Sequence, residues 1–495
     1  VNVSKLMQHG EGTVVIGAGP AGLTAAYELV KHAHPVRVLE KSPTTVGGIS
    51  QTVAYKGFRF DIGGHRFFSK SQEIEDLWTE ILGPKMLVRG RLSRIFYNKK
   101  FFDYPIKPFD TFKKLGPVYT TLCVLSYVKA RAFPRQKVRS FEDWVVNAFG
   151  ERLYQTFFKT YTEKVWGMPC TEMSADWAAQ RIKGLSMSTL IRNTLFPQKS
   201  KDRKAIIKTL IDEFRYPAYG PGQMWERVAE LVDQKGGAVL MGQGATTLAW
   251  EPGRMLAVVT EQGERHAASH FIATMPMRSL VRALDPPAPP EVLKAALALE
   301  YRDFLTVALV VRRKTLFPDN WIYIHDPQVQ VGRIQNFKNW SEHMVPDPEL
   351  SCLGLEYFCF EGDGLWSMSD SELIALGTRE VASLGLVDAA EVIDGAVVRV
   401  PKAYPVYNDS YKTNVNIVRA FLEEALPNLQ LAGRNGMHRY NNQDHAMMTG
   451  LLAARNILAG QTRYDPWRVN NDAEYLEEDK DSDTGGRLVP QRIPG

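Results

Sequence analysis

Residues 13–22 read Thr13-Val14-Val15-Ile16-Gly17-Ala18-Gly19-Pro20-Ala21-Gly22, and their reading decides the fold. A short apolar, β-branched run enters a G-x-G-x-x-G turn, and Leu23 to Val30 then continue at helical spacing. A second strand, Val36 to Leu39, ends in Glu40, eighteen residues after Gly22. Gly17, Gly19 and Gly22 permit a tight turn and a close approach of pyrophosphate to the helix N-terminus, where Pro20 and Ala21 sit in the first turn. Glu40 is placed to accept from ribose hydroxyls, with Lys41 beside it. This βαβ opening predicts a Rossmann-like dinucleotide-binding domain.

Outward from that motif, 495 residues at roughly 150 per domain make two to four folding units. Hydrophobic residues at 44% and charged residues at 23% exclude disordered and fibrous classes. Lys+Arg 60 against Asp+Glu 55 leaves +5, which suits anionic ligands and is too weak an excess for a nucleic-acid partner. Cys123, Cys170, Cys352 and Cys359 form no C-x-x-C pair, so buried reduced thiols, a cytoplasmic location and no metal site are expected. No signal-peptide pattern is visible at the N-terminus. The most apolar stretch, Leu115 to Val128, is broken by Pro117 and Tyr119 and falls short of the roughly 20 residues a span needs. No integral membrane span is expected.

Residues 1–90 read as the first segment of the nucleotide domain and 91–107 as a lead-in to a second sheet. Residues 108–210 form a helical, aromatic-rich insertion ending in a basic stretch with Lys199, Lys201, Arg203 and Lys204. Residues 211–285 return to the nucleotide domain and include an antiparallel meander from Ala238 to Phe271. An antiparallel substrate sheet over 286–424 follows, with strands at Phe304 to Val311, Trp321 to Ile324 and Leu353 to Phe360. Residues 425–462 close the nucleotide domain with a strand at Leu429 to Leu431 and a helix from Met447, and 463–495 are a polar acidic tail. The fold class is α/β: a Rossmann-like domain carrying an inserted helical domain and an antiparallel β-sheet domain.

Gly47-Gly48, then Phe60-Asp61-x-Gly63-Gly64-His65, and a late Gly433-Arg434 after a strand extend the motif. This order resembles flavin enzymes of the amine oxidase and protoporphyrinogen oxidase type, which bind FAD. A second constellation, Glu151 to Gln155 followed by Lys159-Thr160-Tyr161-Thr162-Glu163-Lys164-Val165-Trp166-Gly167, resembles the substrate side of UDP-galactopyranose mutases. His65-Arg66-Phe67, Gly332-Arg333-Ile334, Tyr404-Pro405-Val406 and Gly433-Arg434-x-Gly436-x-His438-Arg439-Tyr440 line up with that family in order, from about Val14 to Leu458.

The resemblance implies an isomerase interconverting pyranose and furanose nucleotide sugars for cell-surface polysaccharide synthesis. N5 of reduced FAD would attack C1 of the sugar, with NAD(P)H as a candidate reductant. It further implies that Tyr161 and Trp166 flank the nucleotide and that Arg333 balances the diphosphate. Tyr404 would bond a phosphate, His65 would sit at the flavin or a sugar hydroxyl, and His438 and Tyr440 would border the substrate. Gly47, Gly48, Gly64, Gly433, Arg434 and Asn442 would contact the cofactor, and the helical insertion would form a homodimer. Two departures stand out. Lys183-Gly184-Leu185 replaces the family's loop arginine, and His438 and Asn442 replace an aromatic and an acid. The basic stretch at Lys199 to Lys204 is a candidate substitute for the missing charge. A true FAD oxidoreductase of the amine or porphyrinogen oxidase type is the alternative.

Overall fold

A computed structural model describes residues 10–104, 106, 108–173, 175, 213–408 and 410–469. Five parallel strands form the nucleotide-side sheet in the order Leu429–Leu431, His270–Ala273, Thr13–Ile16, Val36–Leu39 and Ala238–Leu240. Thr13 to Ile16 is buried throughout, which is why the run is continuously apolar rather than alternating. Helix Pro20–Lys31 starts with proline in its first turn, needing no amide donor there, and packs on helix Gln443–Leu458. Their shared core includes Leu23, Trp78, Trp225, Met447 and Leu451.

The second sheet has seven strands, in the order Val392–Pro405, Tyr301–Val311, Ser351–Cys359, Arg333–Asn336, Trp321–Ile324, Ser93–Tyr97 and Lys100–Asp103. Neighbours are antiparallel except Ser93–Tyr97 against Trp321–Ile324. Asn98 and Lys99 both take positive φ (49° and 56°), the tight turn that joins residues 93–97 to 100–103. The helical insertion holds Pro108–Leu115, Pro117–Ala132, Phe141–Phe149 and a run from Glu151 to Trp166 with a π-helical turn at Gln155–Lys159.

The meander is smaller than its sequence reading. Ala245–Glu251, Arg254–Thr260 and Arg265–Ala267 are antiparallel, but Ala238–Leu240 and His270–Ala273 leave it for the parallel sheet. Phe271 to Ala273 is wholly buried on both faces, which favours a central parallel position. The four cysteines are free and buried, and burial pushes the Cys352 thiol up to about 12. Among the described residues no helix is long and apolar enough to cross a membrane, and no cluster could hold a metal ion. The Lys183 to Leu185 departure, the Lys199 to Lys204 stretch and the tail from 470 onward lie outside the described residues.

Candidate active site

Two glycine turns meet at the end of the parallel sheet. A Cβ on Gly22 would lie 1.9 Å from the Gly17 carbonyl oxygen, so only glycine lets the helix start this close to the strand. Gly48, at φ +56°, faces Gly19, and a Cβ there would stand 3.5 Å from the Gly19 Cα. The Gly47 amide donates to the Ala18 carbonyl at 2.8 Å and ties the turns together. The result is a side-chain-free cradle bordered by backbone. Glu40 accepts from the amides of Ala18 and Ser42, both at 2.8 Å. Each carboxylate oxygen keeps a further lone pair for a ribose hydroxyl. Lys41 points elsewhere: its side chain is 78% exposed and its Nζ lies 3.6 Å from Glu261.

The cradle leads toward a cleft between the two sheets, lined by Gly64, His65, Arg333, Tyr404, Arg434, Tyr440 and Asn442 among the expected residues. Arg333 starts a strand whose neighbour carries Glu356, a fully buried carboxylate. Arg333 Nε donates to Glu356 Oε2 at 2.6 Å, and Gln335 Nε2 donates to the other oxygen at 2.7 Å. Burial alone would lower the Arg333 pKa, but Glu356 beside it holds the guanidinium firmly charged.

Arg434 donates to the carbonyls of Asn441 and Ala403, each at 3.0 Å. Its Cζ lies 5.1 Å from the Tyr404 ring centre and 5.0 Å from that of Tyr440. Those rings stack at 5.7 Å and 13°. Burial first, and then the neighbouring Tyr440, raise the Tyr404 pKa, so its phenol keeps the proton. His65 is pushed down to about 3 by burial and by the cations Arg434 and Arg333, which makes it a neutral imidazole.

Several buried polar atoms around this cleft have no partner in the protein: His65 Nδ1, Gln335 Oε1, Trp321 Nε1 and both amide atoms of Gln443. Buried polar atoms are rarely left bare, so this ring of donors and acceptors fits a planar heterocycle bearing both kinds of group. With the cradle, it fits a flavin dinucleotide laid from Gly19 to the cleft.

Tyr161, Trp166 and His438 are not among the residues that line the cleft. Tyr161 stacks on His325 at 4.9 Å and 4°, and meets Tyr323 edge-on at 5.4 Å. Tyr323 and not Tyr161 lines the cleft. Trp166 is buried against Tyr404 and Tyr440, with ring centres 6.5 Å away in each case. His438 is buried with its ring edge-on to Tyr301 at 4.9 Å.

Lys164 grips the carbonyls of Ile324, Asp326 and Val331 at 3.3, 2.6 and 3.2 Å. Glu380 takes the amides of Gln330 and Val331 at 2.6 and 3.0 Å. Opposite charges thus clamp the turn that delivers Arg333. Sequence reasoning missed Glu356, Gln335, Tyr323 and Gln443. For Glu356 a signal was present: an acid inside the apolar run Leu353-Gly354-Leu355-Glu356-Tyr357-Phe358 needs a buried partner.

The model of the flavin containing amine oxidoreductase family matches residues 20–458. The chain belongs to that family. Among curated proteins, the L-amino-acid oxidase of Crotalus adamanteus is 32% identical over 124 residues, covering 21% of this chain and 23% of the relative. That of Bothrops jararacussu is 30% identical over 125 residues, covering 21% and 24%. The chain therefore matches about a quarter of those relatives' length. Among solved structures, a reduced UDP-galactopyranose mutase superposes with a TM-score of 0.80 at 22% identity, over 93% of this chain and 96% of that one. A putative protoporphyrinogen oxidase from Exiguobacterium gives 0.67 at 16%, over 91% and 99%. Putrescine oxidase bound to putrescine gives 0.61 at 18%, over 91% and 99%. These likenesses, all under 25% identical, show the fold.

Proposed function

We propose that this family member is an FAD-dependent sugar-nucleotide mutase, interconverting the pyranose and furanose forms of UDP-galactopyranose or a related nucleotide sugar. The observation that carries this reading is the charge of the cleft, where Arg66, Arg333 and Arg434 stand against Asp444 in the lining and Glu356 behind Arg333, which leaves a net positive charge. A diphosphate matches that balance and a cationic amine does not. The TM-score of 0.80 to the mutase, against 0.67 and 0.61 for the oxidases, supports the same direction.

Bound FAD, in its reduced form, supplies a nitrogen nucleophile for the anomeric carbon. The protein's tasks are then positional. Arg333, held charged by Glu356, balances the diphosphate as it leaves and returns. The protonated Tyr404 hydroxyl donates to a phosphate oxygen, and Arg434 fixes the Tyr404 and Tyr440 rings from their faces. Neutral His65 offers its free Nδ1 to a sugar hydroxyl or to the flavin edge.

A second reading, amino-acid oxidation, has its own support in the curated L-amino-acid oxidases, and an arginine-lined cleft also accepts a carboxylate. One experiment separates them. The holoenzyme is reduced, incubated anaerobically with a panel of nucleotide sugars, trapped with cyanoborohydride, and the released flavin is weighed. A flavin-plus-hexose mass is the expected result and names the sugar. Absence of any adduct, together with oxygen uptake on L-amino acids, would replace the mutase reading with the oxidase one.

A further inference from the structure

Helix Pro117–Ala132 turns most of its surface to solvent. It anchors on the aromatic core of the insertion through Cys123 and Ala130, with Tyr119 and Tyr127 half-buried beside them. At 100° per residue, Val118, Leu122 and Leu125 form a stripe on the opposite side, flanked by Val124 and Val128. All five are exposed, Val118 to 75% and Leu125 to 59%, and Phe133 just beyond the helix is 80% exposed. A contiguous apolar face of this kind on an outer helix marks a contact with something else.

The charge around it is one-sided. Residues 99–140 hold ten lysines and arginines against Asp103 and Asp110 alone, although the whole chain is only +5. Lys129 continues the apolar stripe. Arg131, Lys137 and Arg139 follow on the exposed stretch that contains Phe133 and Val138. Arg135, in their midst, is already neutralised by Glu142 and Asp143, at 3.0 and 2.9 Å. Lys129, Arg131, Lys137 and Arg139 have no acidic partner among the described residues.

We propose that this helix and residues 133–139 dock the protein on an anionic phospholipid surface. An amphipathic element that places aliphatic and aromatic side chains on one face, with cations at its rim, is built for the plane between headgroups and acyl chains. The lipid phosphates would pair the four free cations while Val118, Leu122, Leu125 and Phe133 leave water. A second copy of the chain fits less well. A two-fold contact sets the patch against itself and brings like charges together with no acid to offset them.

The test uses full-length holoenzyme and sedimentation with vesicles of phosphatidylcholine alone or with about 30% phosphatidylglycerol. Binding is expected to the anionic vesicles only, weakened by about 0.5 M NaCl. Leu125→Glu/Val128→Glu, and separately Lys129→Gln/Arg131→Gln/Lys137→Gln/Arg139→Gln, should each lower it by at least about tenfold. All six positions are exposed, so flavin absorbance and circular dichroism of both variants should match the parent. Equal binding to neutral vesicles, or binding to neither, overturns the proposal. A dimer in light scattering that Leu125→Glu/Val128→Glu dissociates, without vesicle binding, overturns it in favour of self-association.

Discussion

The two walls of the proposed site, the glycine cradle and the cleft beside it, are encoded differently. The cofactor wall comes from one short stretch, Thr13 to Gly48, and works mainly through backbone: glycine turns, a helix start and the amides of Ala18 and Ser42 on Glu40. The opposite wall, the proposed substrate side, comes from His65, Arg333, Tyr404 and Arg434, spread over residues 65 to 434, and works through side chains. Two of those side chains are held by other elements of the chain, Arg333 by Glu356 and Arg434 by the Ala403 carbonyl. Backbone recognition is intolerant of added atoms. Side-chain recognition is intolerant of a lost partner.

The largest effect expected from this contrast is at Gly22. A methyl group there would sit 1.9 Å from the Gly17 oxygen and 3.1 Å from Val15 Cγ1, and neither the turn nor the buried strand has room to retreat. Overpacking of this kind costs about 1–3 kcal/mol, and it falls on the cofactor turn itself. Gly22→Ala should purify colourless, with flavin-to-protein absorbance near zero. A yellow variant of normal flavin content would mean that the turn is softer than its geometry.

On the substrate wall the comparable lesion is Arg333→Ala. It removes a cleft cation and leaves the fully buried Glu356 with Gln335 alone, and breaking such a pair costs about 3–5 kcal/mol. Flavin content should persist while the denaturation midpoint falls and turnover disappears. Adding Glu356→Gln should restore most of the stability and none of the turnover, because the second change removes the stranded charge without restoring the cation. Recovery of turnover in the double variant would show that Arg333 serves only Glu356.

This asymmetry also explains what was legible in the sequence. The strand, turn, helix and Glu40 were readable because each demand is local: a buried strand must be apolar, and a close turn must be glycine. The parallel strands Leu429–Leu431 and Val36–Leu39 followed from the same logic. Tyr161 and Trp166 were readable as a dense string. Their packing against Tyr323 and Tyr404 was not, because it depends on how the insertion docks on a sheet built from residues 93 to 405. The strand Val392–Pro405 is half-buried along most of its length and lacks a clean alternation, so it left no pattern to find. The roles of Lys164 and Glu380 were invisible for another reason, since what they hold is backbone.

In chain order the hairpin of Thr52–Tyr55 and Phe58–Asp61 follows the cradle, and its Asp61 accepts from Tyr216 and Thr52 in a site closed to water. Burial pushes the Asp61 carboxyl up to about 7, the hydrogen bonds opposing it. The folded protein therefore keeps a proton that the unfolded chain releases near its ordinary value of 3.8. Stability from this group is complete below that value and is lost as pH rises through about 7. The urea midpoint of the parent should fall between about pH 5 and about pH 8, and that of Asp61→Asn should fall less. Parallel profiles would show that Asp61 is ionised in the fold.

The smallest effect expected tests how far the cofactor wall extends. Lys41 follows Glu40 directly, and proximity in sequence made it a cofactor candidate. In the structure it lies past the end of strand Val36–Leu39, its side chain 78% exposed, in a surface pair with Glu261 at 3.6 Å. Such pairs contribute little, because solvent screens the attraction and ordering two long side chains opposes it. Lys41→Ala should change stability by no more than about 0.5 kcal/mol and leave flavin content intact. Loss of flavin in this variant would mean that the side chain swings back over the cradle when the dinucleotide is present. The cofactor wall would then depend on side chains as the opposite wall does.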